Sequence, residues 1–204
     1  NQDPVTKSPG RIVIAEYRPK RPSKAAPVVI IPPTYGRNQG DDGYASTLCS
    51  RGRAAVIAVS WSGDDDKGID LDLHNRTPQR AVTAVRNILD YLKAEKAGLV
   101  GTSLGAIYGA SAFGAEPRFT AAVLIVGGGP SAEVIANSDQ ELLVKLKQER
   151  FKDESFAQLG VSDQGSYRNA LRESLLVDPV LLAAPSAGKK ALFKLESFAS
   201  GALR

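Results

Sequence analysis

The chain has 204 residues, 43% apolar and 24% charged, with a formal net charge of +4. That suffices for one domain with a substantial core and is short for two. No apolar run approaches the roughly 18 to 20 residues that cross a bilayer. Basic residues are scattered, Arg18-Pro19-Lys20-Arg21 apart, with no aromatics among them, which speaks against nucleic acid as a partner.

The chain opens at Asn1 in the polar stretch Asn1-Gln2-Asp3-Pro4 and contains no methionine. This reads as a processed chain that has lost a signal peptide, hence as a secreted or periplasmic protein. Arg11 to Tyr17 alternates apolar and polar residues and reads as an early edge strand. Val28-Val29-Ile30-Ile31 is a β-branched run closed by Pro32-Pro33, the pattern of a buried parallel strand. A Gly-rich turn from Tyr35 to Gly43 follows, then a short helix in which the lone Cys49 reads as a small buried apolar residue. Ala54 to Ser60 is the next buried strand, and an acidic loop runs from Trp61 to Arg76. Thr77-Pro78 signals a helix start, with Ala81, Val82, Val85, Ile88, Leu89 and Leu92 on one face.

Gly98-Leu99-Val100 is a strand leading into Gly101-Thr102-Ser103-Leu104-Gly105, and Ala106 to Phe113 is a helix of small residues. Ala121 to Val126 is a further buried strand, ending in Gly127-Gly128-Gly129. From Ser131 to Leu176 the chain turns polar and helical, with Leu142, Leu143 and Leu146 on one face, and reads as helices inserted above the sheet. Asp178-Pro179 suggests a helix or turn cap, and Lys190 to Leu195 a final strand. Strands alternating with helices predict an α/β fold with a mostly parallel sheet covered on both faces. The expected division is a core of residues 1–130 and 177–204 with a helical cap at 131–176.

A serine hydroxyl is a poor nucleophile unless it is exposed, held in place and next to a base. The pattern G-x-S-x-G between a strand and a helix supplies exposure, because the serine sits on a sharp turn above the carboxyl edge of the sheet. Gly101 and Gly105 let helix and neighbouring strand pass close to that turn. A nucleotide-binding alternative lacks both G-x-G-x-x-G after the first strand and any G-x-x-x-x-G-K-[ST].

The segments VVIIPPTYGRNQG, EKAGLVGTSLGAIYGASAF and AAVLIVGGG resemble the α/β-hydrolase superfamily, and most of all bacterial serine esterases with a helical cap, over roughly residues 11 to 195. The resemblance implies Ser103 as the nucleophile of an acyl-enzyme. It implies an oxyanion hole built from the backbone N–H groups of Leu104 and Tyr35. The substrate class is a small carboxylic ester or related acyl compound, with no cofactor and no metal.

The triad order of the superfamily is serine, acid, histidine. Glu196 stands near the place of the acid. The only histidine, His74, precedes Ser103 and reads as a surface-loop residue beside Asp70 and Asp72. A metal site of His74 with Asp64, Asp65, Asp66, Asp70 or Asp72 is weaker than a solvated acidic loop. The segment LESFASGALR lacks the closing strand, helix and histidine loop of the superfamily, so the expectation is a chain that continues past Arg204 to a histidine. Without its base a serine triad loses about a millionfold in turnover. Two rival readings follow: a non-catalytic homologue that kept the scaffold for binding, and an acyltransferase sharing the same turn.

Overall fold

The computed structural model describes residues 12–21, 23–33, 38–60, 69–176, 178, 180 and 188–194. Its strands are β1 (Val13–Tyr17), β2 (Val28–Ile31), β3 (Ala55–Ser60), β4 (Ala97–Thr102), β5 (Phe119–Ile125) and β6 (Lys190–Lys194). They form one sheet in the order β1-β3-β2-β4-β5-β6. β1 runs antiparallel to β3 and the other pairs are parallel. Each parallel neighbour needs a crossover, supplied by α1 (Gln39–Ser50), α2 (Leu73–Tyr91), α3 (Leu104–Ala115) and a group of four, α4 (Ser131–Asn137), α5 (Glu141–Lys152), α6 (Glu154–Gln158) and α7 (Gln164–Ser174).

All four residues of β2 are buried, which is why the VVII run does not alternate with polar residues. Its side chains divide between the two faces with the strand period of two. Val29 and Ile31 join Val56, Leu99 and the apolar stripe of α2 on one face. Val28 and Ile30 join Ala55, Ile57 and Ala45 of α1 on the other. Helices thus cover both faces, as the alternation of elements predicts. β1 is the edge strand expected, starting two residues later than Arg11.

Two helices start earlier than their sequence signals. α1 begins at Gln39, inside the predicted turn, because Asn38 and Asp41 form a reciprocal capping box. The Asp41 N–H donates to Asn38 Oδ1 at 3.0 Å, and the Asn38 N–H donates to Asp41 Oδ2 at 3.2 Å. α2 begins at Leu73, four residues before Thr77, and places Pro78 inside the helix. The Leu73 N–H donates to Asp70 Oδ1 at 3.1 Å, and the Asp72 carbonyl accepts from the Asn75 and Arg76 N–H groups at 2.9 Å each. Pro78 removes one bond of the ladder, yet the turn before it is held by these acceptors and by Thr77 Oγ1 donating to the Leu73 carbonyl at 3.1 Å.

The four helices between β5 and β6 have an apolar cluster of their own: Ala132, Ala136, Phe156, Val161, Tyr167, Leu171 and Leu175. Ile69 and Leu71, just before α2, pack against it from outside. The ends of this insertion meet, because the Ser131 N–H donates to Asp178 Oδ2 at 2.6 Å. Asp178 is buried and also accepts from the Val180 N–H at 2.8 Å, so it is the cap that its Asp-Pro setting suggests.

Candidate active site

β2 and β4 lie side by side, but the chain leaves β2 toward β3 on one flank and enters β5 from β4 on the other. Such a reversal opens a crevice at the carboxyl ends of the two strands, the usual ligand position in open α/β sheets. Ser103 stands at that point, between the end of β4 and the start of α3.

Ser103 has φ 55° and ψ −122°, a backbone conformation that L-residues rarely adopt. The turn is held on both sides. The Ser103 N–H donates to the Ile125 carbonyl at the end of β5 at 2.8 Å, and the Ser103 carbonyl accepts from Ala106 at 2.9 Å and Ile107 at 3.3 Å. Glycines make the close passage possible. A Cβ on Gly101 would lie 2.4 Å from the Gly105 carbonyl oxygen, and one on Gly105 would lie 2.2 Å from the Pro32 carbonyl oxygen. Gly127, beyond β5, is equally tight: its Cβ would stand 2.8 Å from that of Ala106. Sequence reasoning named the first two glycines and noted the Gly127-Gly128-Gly129 run without assigning it this contact. Between them, Val126 takes φ 56°, a strained value for a β-branched residue. Ser103 and Leu104 are both partly exposed at this edge.

Tyr35 and Glu196 lie outside the described residues, as do Asp64, Asp65 and Asp66. His74 is not a loop residue: it sits in the first turn of α2. Its Nε2 is 2.8 Å from Arg150 Nη1 and is therefore the acceptor of that contact. Burial pushes its pKa down to about 3, the Arg150 cation adds to the shift, and Asp70 offsets part of it. A neutral histidine spent on a guanidinium is not poised to take a proton from Ser103.

The nearby carboxylates are also engaged. Arg76 Nη1 and Nη2 each lie 2.9 Å from a carboxylate oxygen of Asp70, and Nη1 also reaches Asp72 Oδ2 at 3.1 Å. Among the described residues no group of three or more His, Cys, Asp or Glu side chains is placed to hold a metal ion. Among them, too, no helix is long and apolar enough to cross a membrane.

No protein-family model matches the sequence, and no curated protein sequence matches it. Solved structures do. An acetyl xylan esterase from Paenibacillus sp. R4 superposes with a TM-score of 0.58 at 15% identity, over 91% of this chain and 73% of that one. Acetyl xylan esterase 1 from Thermoanaerobacterium sp. JW/SL YS485 gives 0.57 at 14% identity, over 91% and 72%. The acylaminoacyl peptidase of Pyrococcus horikoshii gives 0.54 at 15% identity, where 90% of this chain covers 34% of that one. These neighbours are α/β-hydrolases in fold. A sheet of this strand order, a strained serine after the strand beside its reversal point, and these structural neighbours together give the chain the α/β-hydrolase fold.

Proposed function

We propose that the protein is a serine hydrolase that cleaves a small carboxylic ester or related acyl substrate through an acyl-enzyme on Ser103. The observation that carries the reading is the conformation of Ser103, φ 55° and ψ −122°, fixed between three glycines that admit no side chain. Strain of this kind persists only where the surroundings over-determine it, and it concentrates at functional sites. The turn lifts the hydroxyl above the sheet edge for attack on an acyl carbon. The Leu104 N–H, at the first residue of α3, is the expected donor to the developing oxyanion, with Tyr35 as its proposed partner across the crevice. Helices α4–α7 are the proposed cap that shapes the acyl pocket.

The acyl chemistry also needs a base, and His74 is committed elsewhere. The reading therefore requires a further group that takes the Ser103 proton, with Glu196 as the proposed acid that orients it. The engagement of His74 with Arg150 favours one second reading, a homologue that binds acyl compounds without turnover. A fluorophosphonate probe separates the two when applied to the full-length protein as it is made in its source. Labelling that disappears in Ser103→Ala is the expected result, and an unlabelled, folded protein overturns the esterase reading. The 204 residues by themselves are expected to turn over a simple acetyl ester about a millionfold more slowly than a complete triad.

A further inference from the structure

Arg150 is the largest fully buried side chain among the described residues, although it lies in the last turn of the polar helix α5. Among those residues its partners are neutral. Nε donates to the Ile69 carbonyl at 2.5 Å, Nη2 to the Asp70 carbonyl at 2.8 Å, and Nη1 to His74 Nε2 at 2.8 Å and to the Tyr167 hydroxyl. The rings of Phe156 and Tyr167 each stand 5.6 Å from its Cζ. Three of the four hydrogen-bond acceptors belong to the stretch that leads into α2.

A second tie lands on the same stretch. Asn75 Nδ2 donates to the Ser174 carbonyl at 2.7 Å, and Asn75 Oδ1 accepts from the Leu176 N–H at 2.7 Å. Apolar contact follows the same route, through Ile69 and Leu71. The cluster inside α4–α7 shares no residue with the two clusters on the sheet. Polar and apolar contacts between the insertion and the rest of the molecule thus converge on residues 69–75.

The chemistry of the contact matters as much as its place. Pulling apart a buried ion pair leaves an uncompensated charge behind, which is strongly destabilising. Withdrawing Arg150 leaves two carbonyls, a neutral imidazole and a phenol, all of which water can satisfy, while the guanidinium regains its own hydration. The contact is strong when closed and strands no charge when open.

We propose that residues 69–75 are a pivot on which α4–α7 move as one body relative to the sheet, and that Arg150 is the releasable pin of that motion. The inference goes beyond the hydrolase reading; it rests on α4–α7 being a separate unit and not on the acyl chemistry. Hydrogen exchange followed by peptide mass spectrometry tests it on the 204-residue protein. In Arg150→Met, peptides of α5, α6 and α7 are expected to exchange about tenfold faster or more, while those of β2, β4 and β5 keep wild-type rates. Unchanged exchange in the helices overturns the proposal. So does equal acceleration in the sheet, which would make Arg150 part of a single cooperative core. If the Met variant does not fold, His74→Leu removes one acceptor and is judged by the same two criteria. Because exchange is read without substrate, failure here and failure of Ser103 labelling are distinguishable.

Discussion

Ser103 holds a strained backbone conformation, at a cost on the order of 1–3 kcal/mol. Glycine adopts that conformation freely and alanine does not. Ser103→Gly is therefore expected to raise unfolding stability in urea by about 1 kcal/mol relative to Ser103→Ala, with both inactive toward the probe. Agreement between the two variants would show that the turn is unstrained. His74 makes a different prediction. Its folded pKa of about 3 lies below its ordinary value of 6.5, so its burial contributes stability that is complete above pH 6.5. The contribution is lost as pH falls through that window, at about 1.4 kcal/mol per unit where steepest. The charged and titratable groups around it are Arg150 and Asp70, with Tyr167 on the far side of the guanidinium. His74→Gln keeps an acceptor for Arg150 and removes the titration, so its stability curve between pH 6.5 and 4 should be measurably flatter than wild type. The turn was legible in the sequence because five adjacent residues carry it. The burial of His74 was not, because its partner lies 76 positions away.

At the scale of elements, β4, α3 and the end of β2 behave as one close-packed joint. A methyl group at position 105 would press on the backbone of Pro32 and Ile31, at 2.2 and 2.3 Å, and backbone cannot rotate aside. Gly105→Ala is expected to cost about 2–4 kcal/mol, read as a lower urea midpoint, where an exposed helix glycine would gain slightly from the same change. A midpoint within a few tenths of a molar of wild type would contradict it. The strands were readable because β-branched runs bounded by proline and glycine state both their type and their burial. The starts of α1 and α2 were not. Thr77-Pro78 is a good local start signal, but the Asp70 and Asp72 acceptors let the helix begin a turn earlier. Asn38 and Asp41 likewise outweigh two glycines. A capping residue competes with its neighbours, and the winner depends on what packs above the first turn; here Arg150 does.

For the whole molecule, the strand order and its reversal beside Ser103 follow from which buried runs are consecutive and which connections carry helices. That much is contained in the sequence pattern. The burial of Arg150 is not, because in the run Gln148-Glu149-Arg150-Phe151-Lys152 an arginine reads as solvated surface. Only the convergence of α5, α7 and the stretch before α2 removes it from water. The expected oxyanion partner Tyr35 and the expected acid Glu196 lie outside the described residues, so the site is defined structurally by its serine, its glycines and its helix start.

The hydrogen bond between Ser131 and Asp178 has one more consequence. It joins the two ends of the insertion, so the path from β5 to β6 closes a loop whose mouth is a single contact. The entropy of closing such a loop grows only slowly with its length, and the sheet senses the insertion mainly at that mouth. Four helices, two, or a short turn could stand there while the strands kept their register. The connection is thus an exchangeable cassette, free to be lengthened, shortened or replaced without rewriting the core that carries Ser103.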